Sequence, residues 1–264
     1  MMKKSSAERW ENVWQLPPPL SVRLSTLLAM DRQLALGFKL REDISLSTFI
    51  PGNNSQAITD LTTTARGIGE PLIYLWGGKS TGKSHLLQAA CQLADSEERP
   101  AVYIPLQQAE LFQPDILNDL ESLKLVCLDD LQRVTGDPAW EQAIFHLFNR
   151  LRDIGASLVV AADQGPSNLP IKLPDLASRL AWGLSYQLHP LTDDEKQSAL
   201  IQGAERRGLD ISRDTAFYIL RHAPRDMGSL RVLLDRLDHA SLEAQRRLTI
   251  PFVRSLIDSR NPSD

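Results

Sequence analysis

The chain has 264 residues, a hydrophobic fraction of 42% and a formal net charge of −4 at pH 7. This length suits one α/β domain with a smaller appendage, and the acidic balance argues against broad, charge-driven coating of nucleic acid. The sequence has no long apolar run, no signal-like start and only two cysteines without a C-x-x-C spacing. We therefore expect a cytoplasmic protein with buried thiols and no membrane association.

Residues 1–48 are expected to form a mostly disordered leader, because they lack hydrophobic periodicity and contain the run Pro17-Pro18-Pro19. From Phe49 the sequence has the character of a folded domain. Asn53-Asn54-Ser55 is predicted to cap a first helix that runs from Gln56 to Ala65.

Short apolar runs then alternate with helical stretches, and five strands are predicted at 72–76, 101–105, 124–129, 157–162 and 184–188. Such alternation is typical of a parallel sheet covered by helices. After residue 190 the pattern predicts only helices, at 192–207, 212–223, 227–246 and 250–259. Thr192 and Glu195 have the spacing of a capping box, and Pro251 falls in a first helical turn. The predicted fold is α/β, with a five-stranded parallel sheet at 49–190 and a small all-helical domain at 191–264.

A phosphate-binding loop is predicted between the first strand and the next helix, where residues 77–84 form a complete G-x-x-x-x-G-K-S motif. The glycines let successive backbone N–H groups point at phosphates, and the helix N-terminus favours the anion. Lys83 would reach the terminal phosphates and Ser84 would place its hydroxyl on Mg²⁺. The predicted nucleotide-binding residues are Gly77, Gly78, Lys79, Ser80, Thr81, Gly82, Lys83, Ser84 and His85.

A second motif follows the third strand, which ends in Asp129 and Asp130. A nucleotide hydrolase needs one carboxylate at such a strand end to hold Mg²⁺ and a second to orient or deprotonate the attacking water. Asp129 suits the first role and Asp130 the second. Many ATPases have glutamate at the second position, so the shorter Asp130 predicts weak intrinsic hydrolysis. The alternative is a strand that simply leaves the core through two acidic residues.

These motifs, a strand ending in Ala161-Ala162-Asp163, the segment 176–180 and the terminal helices together resemble the AAA+ ATPases of the bacterial initiator (DnaA) clade. The similarity covers roughly residues 33–260, and its most telling stretches are 173–183 and 248–253. Within the clade the chain is most similar to the Hda group, the regulatory inactivators of the initiator. The resemblance implies that the sheet is an AAA+ domain and that the terminal helices form its lid.

The resemblance also implies roles for two residues. Asp163 matches the sensor that stands beside the γ-phosphate and the attacking water. Arg179 matches the arginine finger, which is offered in trans to a nucleotide held by a neighbouring subunit and can stabilise the charge on the γ-phosphoryl oxygens. The alternative for Arg179 is an i,i+4 ion pair with Asp175 on one helix.

The lid departs from the family pattern, because the resemblance places the lid arginine at Gly228. Arg225 and Arg231 lie one turn to either side, and whether either of them replaces it stays open. Together with Asp130, this departure predicts a protein that holds ADP, or ATP, with Mg²⁺ and has weak or no ATPase activity of its own.

The leader contains Gln33, Leu34, Leu36 and Phe38 in the Q-L-x-L-x-F form of peptides that bind the bacterial sliding clamp. In an extended peptide the glutamine amide makes polar contacts and the three apolar side chains fill pockets. The alternative is a short apolar patch that folds back on the domain.

The resemblance and this peptide imply a nucleotide-bound adaptor and negative regulator of replication initiation. Its expected partners are the clamp, the initiator DnaA, DNA indirectly through the clamp, and a second copy of the chain in a homo-oligomer. An initiator-like DNA-associated ATPase and an AAA+ helicase loader are the alternatives. No basic recognition helix supports the first alternative, and the clamp-like peptide argues against the second.

Overall fold

The computed structural model describes residues 44–111, 113–244 and 248–258, and of residues 242–244 it describes only the backbone. Most of the predicted leader, including the clamp-like peptide at 33–38, lies outside the described residues. Ile44 is buried, and Leu46–Thr48 form a 3₁₀ turn in which Ser45 and Thr48 cap each other. Leu46 and Phe49 pack against the core. The folded part therefore includes at least five residues ahead of the predicted start.

Five parallel strands form one sheet, as predicted. They are β1 (Leu72–Trp76), β2 (Ala101–Pro105), β3 (Leu125–Asp129), β4 (Ser157–Ala162) and β5 (Leu184–Gln187), in the order β2-β3-β4-β1-β5. The central strands β3 and β4 are buried along their whole length, because helices cover both faces of the sheet. The edge strand β5 alternates between half-buried and exposed residues.

Four helices accompany the sheet: α1 (Ser55–Ala65), α2 (Lys83–Ser96), α3 (Pro138–Asp153) and α4 (Pro174–Leu180). The apolar face of α2 packs on the middle of the sheet, where Leu86, Leu87 and Ala90 belong to one buried cluster with Ile73 and Val159. Burying this face fixes α2, and therefore the loop that precedes it, against the ends of β1 and β3. Both cysteines, Cys91 and Cys127, are buried in the same cluster.

Asn54 occupies the N-cap position of α1, within the predicted capping segment, but it does not cap the helix with its side chain. The Asn54 side chain forms no hydrogen bond to the N-terminus of the helix. Its amide instead donates to the carbonyl of His189 at 3.0 Å, and its oxygen accepts from the backbone N–H of His189 at 2.8 Å. Asn54 therefore pairs with the backbone that follows β5, because a buried amide needs partners for both of its ends.

After β5 the described chain is helical, with α5 (Asp193–Glu205), α6 (Arg213–His222), α7 (Met227–Ala244) and α8 (Ile250–Asp258). These helices share a second apolar cluster that includes Leu200, Ile219, Leu230, Leu237 and Val253. The predicted capping box of Thr192 and Glu195 is confirmed at the start of α5. The fold class is thus confirmed, whereas the exact domain boundaries at 49, 190 and 191 stay predictions. No helix in the described part of the chain is long and apolar enough to cross a bilayer.

Candidate functional site

The G-x-x-x-x-G-K-S loop joins the carboxyl end of β1 to the N-terminus of α2, as the motif requires. Gly82 has φ +98°, and a Cβ there would lie 2.6 Å from Cε2 of Phe49. A Cβ on Gly77 would lie 2.6 Å from the carbonyl oxygen of Leu188. Both glycines are therefore required by the space available, and Gly82 also by its left-handed conformation. The Thr81 hydroxyl donates to the carbonyl of Gly78 at 3.0 Å and closes the loop.

Lys83 stands near the end of the loop, and its side chain reaches back to the residues at the start of the loop. Its side chain is 9% exposed, and Nζ donates to the carbonyls of Gly77 at 2.7 Å and Gly78 at 2.8 Å. Burial lowers the pKa of Lys83, whereas Asp129 and other nearby carboxylates raise it. The ammonium thus lies where it can meet an anion seated on the N–H groups of the loop.

Asp129 is 1% exposed at the end of β3. Its Oδ2 accepts a hydrogen bond of 2.7 Å from the Tyr103 hydroxyl, and its Oδ1 accepts one of 3.0 Å from the backbone N–H of Asp130. Burial raises the pKa of Asp129, and hydrogen bonds from Ser84 and Tyr103 lower it. The structure thus brings together Ser84 and Asp129, the two residues predicted to hold Mg²⁺. Tyr103 could not be predicted as a site residue, because an aromatic residue in a strand has the pattern of a core residue.

Asp130 and Asp163 lie at the ends of the adjacent strands β3 and β4. The Gln132 amide joins them, since Nε2 donates to Asp130 Oδ1 at 2.8 Å and Oε1 accepts from the backbone N–H of Asp163 at 3.2 Å. Asp130 has φ +58° and ψ +46°, an uncommon conformation for a residue with a Cβ. Gln132 follows Asp130 by two positions and matches no motif, so it could not be predicted as a site residue.

The lid contacts the start of α2 through Arg231 on α7. Nη1 of Arg231 lies 3.4 Å from Nδ1 of His85, the residue that follows the loop motif. Arg225 instead pairs with Asp193 at 3.5 Å. A Cβ on Gly228 would meet only Oδ1 of Asp226, at 3.3 Å. Of the two arginines that the sequence left open, Arg231 is therefore the one with a described contact to a predicted nucleotide-binding residue.

Arg179 does not form the alternative ion pair with Asp175 in the described part of the chain. Its guanidinium carbon lies 4.3 Å from the ring centroid of Trp182 and 5.8 Å from that of Phe148. Both rings line a cavity of about 220 Å³ with Leu72 and Leu158, which are the first residue of β1 and the second residue of β4. Arg179 thus lies toward the edge of the sheet formed by the amino ends of the strands, which we call the amino edge. The phosphate-binding loop lies at the carboxyl edge, where the strands end.

The backbone that leads into α4 is held by Glu141, a carboxylate that is 1% exposed on α3. It accepts hydrogen bonds from the backbone N–H groups of Gly136 at 2.7 Å, Lys172 at 3.0 Å and Leu173 at 2.8 Å. A buried charge is tolerated when it is hydrogen-bonded in this way. Glu141 carried no signal in the sequence, because two of its three backbone partners are 31 and 32 positions away.

Two family models match the chain. The bacterial DnaA ATPase domain matches residues 40–187, and the lid domain of Hda matches residues 193–257. An uncharacterized protein of Haemophilus influenzae is 44% identical over 230 residues, which is 87% of this chain and 100% of that protein. The chain therefore has the architecture of an AAA+ protein. It belongs to the bacterial DnaA ATPase domain family, and its helical part belongs with the Hda lid domains.

Solved structures agree on the fold. Domain III of the replication initiation protein DnaA of Thermotoga maritima is 22% identical with a TM-score of 0.71, and the match covers 84% of this chain and 98% of that one. AMPPCP-bound DnaA from Aquifex aeolicus is 22% identical with a TM-score of 0.65, covering 76% of this chain and 66% of that one. At this identity the two structures support the architecture, and the residue roles rest on the geometry described above.

Proposed function

We propose that this protein is a nucleotide-bound regulator of bacterial replication initiation that stimulates hydrolysis of ATP held by the initiator DnaA. The Hda lid match and the DnaA ATPase match support a regulator related to the initiator. The observation that carries the proposal is the placement of Arg179 at the edge of the sheet away from the protein's own phosphate-binding loop.

The nucleotide site fits ADP or ATP with Mg²⁺. The loop from Gly77 to Ser84, followed by His85, offers N–H groups and the Lys83 ammonium to the phosphates. The Ser84 hydroxyl and the Asp129 carboxylate are hard oxygen donors that meet at one point, and oxygen donors are the ligands that Mg²⁺ prefers. A bound Mg²⁺ would neutralise phosphate charge, and the remaining ligands would come from phosphates and water.

Turnover at this site is expected to be slow. The Asp130 side chain is one methylene shorter than the glutamate of many ATPases, and its Oδ1 is engaged by Gln132. Asp163 stands on the adjacent strand, where it can orient a polar group near the γ-phosphate. Burial lowers the pKa of Lys83. Three nearby carboxylates oppose this effect, because they favour the charged ammonium. These features support a nucleotide held as a resident cofactor.

Arg179 is proposed to act on a nucleotide of another subunit, and its distance from the protein's own loop supports this role. Trp182 precedes β5 by two residues, and Leu184 pairs with Ile73 near the start of β1. The phosphate-binding loop begins only after Trp76, so about five residues of strand, roughly 15 Å, separate the two edges. A guanidinium offers a planar fork of donors to phosphoryl oxygens, and fingers of this kind contribute about 10³–10⁵ in rate in comparable systems.

The clamp is proposed as the second partner, through Gln33, Leu34, Leu36 and Phe38. A clamp encircling DNA would bring the adaptor to DNA indirectly, consistent with the net charge of −4. We place this activity in the cytoplasm, and a homo-oligomer of the chain remains part of the proposal. The alternatives are a helicase loader and an initiator-like ATPase of the same clade.

The test measures hydrolysis of ATP preloaded on the initiator, with clamp-loaded DNA present. Wild-type protein is expected to stimulate hydrolysis and to be retained on the clamp. A variant with Gln33→Ala and Leu34→Ala is expected to lose clamp retention and most of the stimulation, with unchanged nucleotide affinity. Absence of stimulation by the wild type contradicts the regulator, and undiminished clamp retention by the variant contradicts the peptide assignment.

A further inference from the structure

Trp182 is an unusual residue for its position. It stands two residues after the end of α4 and is 67% exposed, although a large aromatic side chain is normally kept from water. Its ring is one of two that flank Arg179, at 4.3 Å from the guanidinium carbon, and Phe148 is the other at 5.8 Å. The exposed ring therefore lies under the guanidinium of Arg179, and it also lines the cavity that Phe148 and Leu72 share.

The donors of Arg179 are left open by this contact. In the described ranges, no residue accepts a hydrogen bond from its guanidinium or forms an ion pair with it, even though Asp175 lies one turn earlier on α4. The guanidinium carbon lies over the indole ring, and the N–H groups of a guanidinium point outward in its own plane. A stacked arginine thus has fewer rotamers and keeps its fork of donors available to an anion.

We infer that Trp182 is a positioning residue for Arg179. The ring holds the guanidinium at the amino edge of the sheet. The N–H groups then stay directed at a phosphate group that the partner carries. This role rests on the proposed function, because it concerns the residue that serves the initiator's ATP. Trp182 touches Arg179 and acts through it, and it takes no part in binding the protein's own nucleotide.

Two variants separate the aromatic contact from simple apolar contact. Trp182→Phe keeps a ring whose face attracts a cation, whereas Trp182→Leu keeps an apolar side chain without that face. If the whole free energy of an exposed or partly desolvated cation–π contact is lost in the transition state, the rate falls by about 2- to 30-fold. We expect Trp182→Leu to slow the saturating rate of initiator-ATP hydrolysis by this factor and Trp182→Phe to restore most of it. In an Arg179→Ala background, Trp182→Leu is expected to change nothing further.

Stacking is also measured on the isolated protein. The Nε–H resonance of Arg179, assigned by its loss in Arg179→Ala, is expected to carry a ring-current shift that Trp182→Leu removes and Trp182→Phe partly keeps. This readout does not depend on the initiator.

The outcomes are distinct. A wild-type protein that fails to stimulate hydrolysis contradicts the proposed function, and the role of Trp182 falls with it. Stimulation by the wild type together with an unchanged saturating rate for Trp182→Leu contradicts the positioning role alone. So does a missing ring-current shift in the wild type. A change confined to the concentration that gives half-maximal stimulation would make Trp182 a partner contact, which also overturns the positioning role.

Discussion

Asp129 combines burial with charge at the point where the predicted metal ligands meet. Burial raises its pKa, and the Tyr103 and Ser84 hydroxyls oppose that rise by hydrogen bonding to the ionised form. Burial also raises the pKa of Tyr103, which keeps the phenol protonated and therefore able to donate. Tyr103 thus supports an ionised Asp129, the form that a cation requires.

The first prediction concerns this hydrogen bond. Tyr103→Phe is expected to lower the free energy of unfolding at pH 7 by about 1–3 kcal/mol, because a buried carboxylate loses one donor. Burial raises the pKa of Asp129 in the folded state. Asp129 therefore favours the folded state when it is protonated, and this contribution is lost as the pH rises through the folded-state pKa. The cost of the variant should therefore shrink as the pH falls through that pKa. Urea unfolding of both proteins between pH 7 and pH 4.5 measures this, and a cost independent of pH would contradict the account.

Asp130 is the residue on which slow turnover depends. Asp130→Glu lengthens the carboxylate to the form used by many ATPases, and we expect intrinsic ATP hydrolysis to rise about tenfold or more. Asp130→Asn is the matched control, because it keeps the shorter length and removes the charge. Steady-state phosphate release by the isolated protein measures both variants. Equal rates for wild type and Asp130→Glu would show that the length of Asp130 does not limit turnover.

At the scale of elements, α4 needs an anchor because it has only seven residues. Isolated helices of this length are not stable in water, so tertiary contacts must hold it. Glu141 supplies them from α3 by accepting the N–H groups of Lys172 and Leu173, immediately before the helix. The same carboxylate binds Gly136 in the loop that follows Asp130 and Gln132. Glu141 therefore joins the segment that carries Arg179 to the loop beside the nucleotide site.

The third prediction tests this anchor. Glu141→Gln keeps the shape but replaces one accepting oxygen by a donor that faces backbone N–H groups. We expect the free energy of unfolding to fall by about 1–3 kcal/mol and amide exchange at Lys172 and Leu173 to accelerate. Gln142→Ala on the exposed face of the same helix is the control, expected within about 0.5 kcal/mol of the wild type. Unchanged exchange at both amides would contradict the anchoring role.

The strands and helices could be predicted from the sequence because each depends on local patterns. Four of the five strands contain an uninterrupted run of at least four apolar residues, and α5 starts at a capping box that needs only Thr192 and Glu195. The phosphate-binding loop could be predicted for the same reason. Asn54 shows the limit of local patterns, since its amide binds His189, 135 positions away. Tyr103, Gln132 and Glu141 were missed for that reason too, because packing of distant segments creates their contacts.

At the scale of the whole molecule, the sheet separates two sites. The carboxyl ends of β1, β3 and β4 carry Lys83, Asp129 and Asp163, whereas Arg179 and Trp182 lie toward the opposite edge. A regulator with this layout can hold its own nucleotide permanently while Arg179 serves another one. A mutation at one end of the strands should therefore leave the function of the other end intact.

The most direct test of this claim is a single-turnover measurement of ATP hydrolysis on the initiator, at increasing concentrations of the protein and with clamp-loaded DNA. We expect Arg179→Ala to lower the saturating rate by about 10³-fold or more, with the half-maximal concentration and the protein's own nucleotide affinity unchanged. Arg179→Lys should fail nearly as fully, because an ammonium lacks the planar fork. Arg206→Ala, a change at another arginine, should behave as the wild type. Full stimulation by Arg179→Ala, or loss of its own nucleotide, would contradict the account.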